Sequence, residues 1–220
     1  MLVLQYYSNL FCFCKFVPQF ICICGMTDKQ DLQQQVESLC ALSDKEWETF
    51  SARLNCREIK KGDYVLHQDR VCDFVAFVQS GAFVYFRSLE NGTEYTTDFG
   101  FNGEWIGDMY SRLNGVPSFL NIKALEDSAI HILYQKDLDE LLVAIPALEK
   151  LLRILVEKAF LKMVRQSLHF QIVDAKERYL KLMDESPEIL QRVPLYHIAN
   201  YLGIAPKSLS RIRKNTVKGR

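Results

Sequence analysis

The run HIANYLGIAPKSLSRIRK, residues 197–214, holds the residues with the clearest chemistry in the chain. Lys207, Ser208, Arg211 and Lys214 follow one another at spacings of one, three and three. On a helix this spacing sets them along one side, away from Leu209 and Ile212. A guanidinium in such a row can donate two parallel hydrogen bonds to O6 and N7 of a guanine, and a neighbouring ammonium or hydroxyl can reach a base edge or a phosphate. Arg213, Lys214 and Tyr201 suit phosphate oxygens. The expected partner of Lys207, Ser208, Arg211, Arg213, Lys214 and Tyr201 is therefore double-stranded DNA.

Two short helices must position this row. The first is expected from Pro194, a good opening residue, to Leu202, with Leu195, Ile198 and Leu202 on one face and the small Ala199 beside it. Gly203 supplies the positive φ that ends it. The second is expected from near Pro206 through Leu209 and Ile212, closing a helix-turn-helix. Ala205 stands where Ser or Thr would cap that helix, which leaves an N–H free for a phosphate oxygen.

Charge follows the same division. Residues 1–149 carry 12 Lys and Arg against 21 Asp and Glu, whereas residues 150–220 carry 15 against 6. The formal net charge of zero hides an acidic front and a basic back, and a basic back suits a polyanion. Upstream, Leu148 to Ile172 contains neither Gly nor Pro and predicts one helix of roughly 37 Å. Its broad apolar stripe, which includes Leu152, Leu155, Val156, Phe160, Met163 and Val164, calls for a partner, expected to be a second copy of the helix. Asp174 is placed to cap a further helix from Ala175 to Glu185, packing through Tyr179, Leu180, Leu182 and Met183, before Ser186-Pro187 interrupts it.

From Glu58 to Tyr134 the period changes to short Val-, Phe-, Tyr- and Thr-rich runs between turn signals, including Ser80-Gly81, Asn102-Gly103 and Asn114-Gly115. Asn91-Gly92, between FVYFRS and EYTTDF, is the strongest hairpin signal. This predicts an antiparallel sandwich or barrel able to hold one small ligand or to be filled by its own side chains. Before it, Leu32, Val36, Leu39 and Leu42 mark one helix face, and Ser43 with Glu46 marks a capping box opening a second helix.

Residues 1–25 differ from the rest: apolar and aromatic, but interrupted by Lys15 and Pro18. They suit neither a spanning helix nor a signal peptide, and translation is expected to start at Met26. Seven cysteines, an odd number with no secretion signal, predict a reducing cytoplasm and no disulfide framework. Cys12, Cys14, Cys22 and Cys24 lack the usual zinc spacing, so no metal site is expected. No nucleophile elbow, Walker loop or H-E-x-x-H is present and no enzyme activity is expected. No membrane partner is expected either.

A helix pair, a Gly-punctuated β-roll, a long helix and a terminal helix-turn-helix together resemble the cyclic-AMP receptor protein/FNR (Crp/Fnr) family of bacterial transcription regulators. The resemblance covers about residues 30–215 and rests on KKGDYVLHQDRVCDFVAFVQSGAFVYF (60–86), GEWIGD (103–108) and IANYLGIAPKSLSRIRK (198–214). It implies an α+β chain: a cyclic-nucleotide-binding-like β-roll sensor (26–147), a dimerisation helix with hinge (148–173) and a winged-helix-type helix-turn-helix domain (174–220). It also implies a homodimer, two recognition helices about 34–36 Å apart on the DNA, and RNA polymerase as a partner. The family's effector site maps to Gly107, Asp108, Tyr110, Ser118 and Phe119. Here Asp108 falls where a Glu would meet the ribose, and Ser118-Phe119 where an Arg-Ser would grip the cyclic phosphate. Losing that bidentate guanidinium argues against cyclic AMP. The pocket is then expected to take another effector or to be filled by Tyr110 and Phe119. The family's iron–sulfur cluster is not expected on the N-terminal cysteines, given their spacing. His67 and His169 are the histidines available to a haem. The competing reading is a small-molecule or cyclic-nucleotide-binding module whose terminal helices contact a protein.

Overall fold

The computed structural model describes residues 29–218. Cys12, Cys14, Cys22 and Cys24, and the proposed start at Met26, lie outside the described residues. Helix α1 (Gln30–Leu39) buries Leu32 and Val36 completely, with Leu39 and Leu42 packed against the same cluster. Helix α2 (Asp44–Ala52) opens on the expected capping box: Ser43 Oγ accepts from the Glu46 N–H, and the Ser43 N–H donates to Glu46 Oε2 at 2.8 Å.

Eight strands follow: β1 (Asn55–Ile59), β2 (Tyr64–Leu66), β3 (Phe74–Ser80), β4 (Ala82–Ser88), β5 (Glu94–Phe101), β6 (Trp105–Ile106), β7 (Asn121–Ala124) and β8 (Ser128–Tyr134). They form two four-stranded antiparallel sheets, ordered β1-β8-β3-β6 and β2-β7-β4-β5. Asn91-Gly92 lies in the turn joining β4 to β5, as expected. Side chains alternate across a strand, so Phe83 and Tyr85 enter the core between the sheets while Val84 and Phe86 face outward into a second core.

One turn signal marks something else. Asn114-Gly115 does not join two strands; it ends a short helix, α3 (Met109–Asn114), with Gly115 at φ +63 as its left-handed cap. Hairpin turns and helix C-termini ask for the same backbone conformation, which is why the dipeptide misleads.

After β8 come α4 (Gln135–Ala144) and the long helix α5 (Ala147–Ile172), rooted by Leu148 and Leu151 in the cluster that holds α1 and α2. Asp174 caps α6 (Ala175–Glu185), accepting from the Glu177 N–H at 2.9 Å. Tyr179 is buried, and Leu182 and Met183 pack beside it. Leu180 does not share that face: it is 39% exposed. A single turn, α7 (Ile189–Arg192), leads to α8 (Leu195–Tyr201) and α9 (Pro206–Lys218). Every described strand lies between residues 55 and 134, so no wing stands beside α9 among the described residues.

Candidate nucleic-acid interface and effector cleft

Helices α8 and α9 form the helix-turn-helix. Ile198, Ala199 and Leu202 of the first half and Leu209 of the second are buried together, with Ile212 against them. Leu195 departs from the expected face and is 37% exposed. Gly203 makes the turn at φ +67, a backbone state in which a side chain would be strained. The Ala205 carbonyl accepts from the Ser208 and Leu209 N–H groups, which starts α9 one residue after it.

With Leu209 and Ile212 turned inward, Lys207, Arg211 and Lys214 point to solvent. Among the described residues none of the three is in an ion pair. Ser208 and Arg213 are half-buried at the edges of the same helix. Tyr201 lies elsewhere: its ring packs 5.2 Å from that of Phe99 on β5, and burial raises the pKa of its hydroxyl. The structure thus groups Lys207, Arg211 and Lys214 and sets Tyr201 against the β-roll.

Gly107, Asp108 and Ser118 lie beside α3, but Asp108 and Ser118 bond to one another. The Ser118 hydroxyl donates to Asp108 Oδ2 at 2.6 Å, and Asp108 Oδ1 accepts from the Ser111 N–H at 3.1 Å. Ser111 Oγ accepts from the Cys72 N–H at 2.9 Å. Both Asp108 and Ser118 are buried, so their hydrogen-bonding capacity is directed inward. Tyr110 and Phe119 do not fill a pocket. They are 59% and 54% exposed, with ring centroids 6.0 Å apart on the surface. The α3 helix turns Tyr110 outward, a direction that a strand reading of this segment could not supply.

An open cleft of about 470 Å³ lies instead between the β-roll and α5. Trp105, Ile106, Gly107 and Met109 line one wall, and Leu152, Leu155 and Ala159 line the other. Arg112, not among the residues that the sequence assigns to the effector site, is its half-buried cation. Its guanidinium donates to Gln135 Oε1 and is in no ion pair among the described residues; desolvation lowers its pKa. Register with the family motif hid this residue, because α3 brings in from six positions upstream of Ser118 a side chain that linear alignment sets aside. Tyr85 closes the floor, its hydroxyl accepting from the Gly107 N–H at 3.1 Å.

The helix-turn-helix is docked on the outer face of the β-roll. His197 Nδ1 and Thr96 Oγ1 are 3.0 Å apart, and Asn200 Nδ2 donates to the Glu94 carbonyl. Arg192 pairs with Glu126 at 2.6 Å, donates to Asn102 Oδ1 at 2.8 Å and lies over the Phe101 ring. Burial lowers the pKa of His197; Glu94 opposes and Lys123 reinforces that shift. His67 stacks on Tyr64 with centroids 4.3 Å apart, and His169 meets Lys181, so neither faces the other. Among the described residues no group of three or more potential metal ligands occurs, and no helix is long and apolar enough to cross a membrane.

Residues 56–144 match the family model for the cyclic nucleotide-binding domain. No curated protein matches the sequence. Among solved structures, FixK2 from Bradyrhizobium japonicum aligns with a TM-score of 0.66 at 15% identity, over 76% of this chain and 85% of that one. CLP from Xanthomonas campestris, described as a c-di-GMP responsive global regulator, aligns at 0.64 and 15%, over 80% and 93%. A protein from Eubacterium rectale, described as a transcriptional regulator of the Crp/Fnr family, aligns at 0.62 and 18%, over 81% and 85%. Residues 56–144 are thus similar to a cyclic nucleotide-binding domain, and most of the described chain shares its fold with these solved structures.

Proposed function

We propose that the chain is a homodimeric, sequence-specific DNA-binding transcription regulator of the cytoplasm, without enzyme activity, whose β-roll responds to an effector other than cyclic AMP. The observation that carries this reading is the outward row of Lys207, Arg211 and Lys214 on α9, held by the inward anchors Leu209 and Ile212. Such a helix fits the major groove with its first turns nearest the bases. RNA polymerase as a further partner follows from the resemblance.

Dimerisation is supported by the outer stripe of α5. Val156, Phe160, Met163 and Val164 are 42%, 58%, 60% and 37% exposed and fall within one side of the helix. A second α5 is the natural cover for a stripe of this length. The reading against cyclic AMP is supported by Ser118, whose hydroxyl is engaged by Asp108 at the position where a guanidinium would grip phosphate. CLP, described as c-di-GMP responsive, supports other effectors in this fold.

Selection of bound sites from random duplex DNA tests the reading. A near-palindromic site is expected, with affinity falling steeply as salt rises. Arg211→Ala is expected to relax preference at one base pair per half-site, at a cost of about 1–3 kcal/mol. Phe160→Glu is expected to give a monomer by analytical ultracentrifugation and to weaken DNA binding. Absence of DNA binding even at low salt would overturn the proposal.

A further inference from the structure

The cleft between the β-roll and α5 separates its lining by chemistry. Helix α5 contributes Leu152, Leu155, Val156 and Ala159, spaced three, one and three apart. They make an apolar track of roughly 10 Å along one wall, at about 1.5 Å per residue. Phe74, Tyr85, Trp105 and Ile106 line the β-roll side, and Met109 adds a flexible thioether. Most polar groups around this track are engaged within the protein. Gln35 accepts from the Trp105 indole N–H at 2.8 Å and donates to the Gly103 carbonyl at 2.7 Å. Asp98 pairs with Lys162 at 2.7 Å, and Glu104 accepts from the Phe101 N–H at 2.9 Å. Lys158 is exposed to solvent.

Two donors on the lining keep capacity to spare. Arg112 gives one Nη to the neutral Gln135 Oε1, and its other N–H groups meet no protein acceptor among the described residues. The Tyr85 hydroxyl accepts from the Gly107 N–H at 3.1 Å, and its own proton goes to no protein group among the described residues. The Arg112 N–H bonds the Asp108 carbonyl, so Arg112 stands one helical turn from the backbone that holds Tyr85. A guanidinium half stripped of water and without a counter-ion is costly to keep. A carboxylate offsets that cost best, because its two oxygens match the guanidinium fork and its single charge balances a single cation. A phosphate dianion would leave charge uncompensated in the cleft. A small polar acid would leave the α5 track wet, whereas an acyl chain laid along it removes apolar surface from water.

We propose that this cleft binds a medium-chain fatty carboxylate, its head held by Arg112 and Tyr85 and its acyl chain laid along Leu152, Leu155 and Ala159. The inference rests on the reading of the β-roll as an effector domain and names the class of effector. The ligand ties α3 to the long helix, so its presence is felt at α5 directly.

Calorimetric titration and thermal melting of the full chain with octanoate test it. Octanamide serves as the uncharged analogue, acetate as the charge without the chain, benzoate as a flat acid, and cyclic AMP as a parallel titrant. Octanoate is expected to bind saturably and to raise the melting temperature. Octanamide, acetate and benzoate are each expected to bind about tenfold more weakly or less, the scale of one lost charge-assisted contact for the amide. Arg112→Gln is expected to bring octanoate down to the level of octanamide. Ala159→Trp, which crowds the track and leaves Arg112 in place, is expected to weaken both. Lys158→Ala, which removes an exposed cation, is expected to leave octanoate binding within about twofold. The proposal is overturned if octanoate does not bind, if octanamide or benzoate binds equally well, or if the preference for octanoate over octanamide survives Arg112→Gln or is lost with Lys158→Ala. Failure of octanoate with DNA-site selection intact sinks the effector class alone. Octanoate binding by a chain that selects no DNA upholds the site and sinks the regulator reading. Cyclic AMP binding where octanoate does not would overturn both this inference and the reading against cyclic AMP.

Discussion

The β2-β7-β4-β5 sheet has two buried faces of different character. Its inward face, with Phe83 and Ile122 fully enclosed and Tyr85 beside them, meets the opposite sheet through apolar contact. Its outward face also buries Val84, Phe86 and Phe99, but there the contact with the helical module is studded with polar groups. Thr96 meets His197, Glu94 meets Asn200, and Glu126 meets Arg192. The first junction is a core that loses heavily on opening. The second has groups that water or a proton can satisfy when the module leaves, so it suits a contact that forms and breaks while the sheet stays folded.

Three measurements would break or sharpen that contrast. The largest effect is expected from Phe83→Ala, which empties part of the inner core and should cost about 3–5 kcal/mol, lowering the melting of the whole chain. Next is acidification. His197 carries a pKa lowered from its ordinary value near 6.5, mainly by burial, so the folded state prefers the neutral ring. Docking is then fully stabilised above that ordinary value and weakens as pH falls below it toward the depressed one. Hydrogen-exchange protection across residues 195–201, after correction for the intrinsic pH dependence of amide exchange, should fall between pH 7.5 and 5.5 while β3 and β4 stay protected. His197→Gln should flatten that dependence and so separate it from His131, which is buried and shifted the same way. Smallest is Arg192→Ala. Its ion pair with Glu126 is partly exposed, and about 1 kcal/mol is expected, seen as faster exchange in α8 with the β-roll melt unmoved. If Arg192→Ala lowered the β-roll melt as far as Phe83→Ala, the two faces would not be different in kind.

Local chemistry in the sequence located most of the frame. The Ser43–Glu46 box, the Asp174 cap and the glycine of the helix-turn-helix each name their own geometry, since a cap or a positive φ is satisfied within a few residues. What depended on distant packing was not legible. The FVYF run of β4 is apolar at four successive positions, a signal for a strand covered on both sides. Nothing local says that the cover is α8. Tyr201, at the end of the first helix of the DNA-binding pair, reads as a phosphate contact, and its place against Phe99 comes from that docking. Arg112 and Tyr110 were obscured by the strand-like reading of Asn114-Gly115, because only a helix sends one into the cleft and the other to the surface.

Helix α5 is buried at its root and touches its neighbours mainly through polar side chains further along, where Lys162 pairs with Asp98 and Arg165 with Glu185. Leu148 and Leu151 are fixed in the core, whereas Phe170 and Ile172, near the far end of this 26-residue helix, are 45% and 76% exposed. An arm of that kind magnifies rotation: over a length of roughly 39 Å, a tilt of about 5° at the root carries the tip about 3 Å. Slight repacking around Leu148 therefore displaces whatever the arm carries by a sizeable fraction of a groove width.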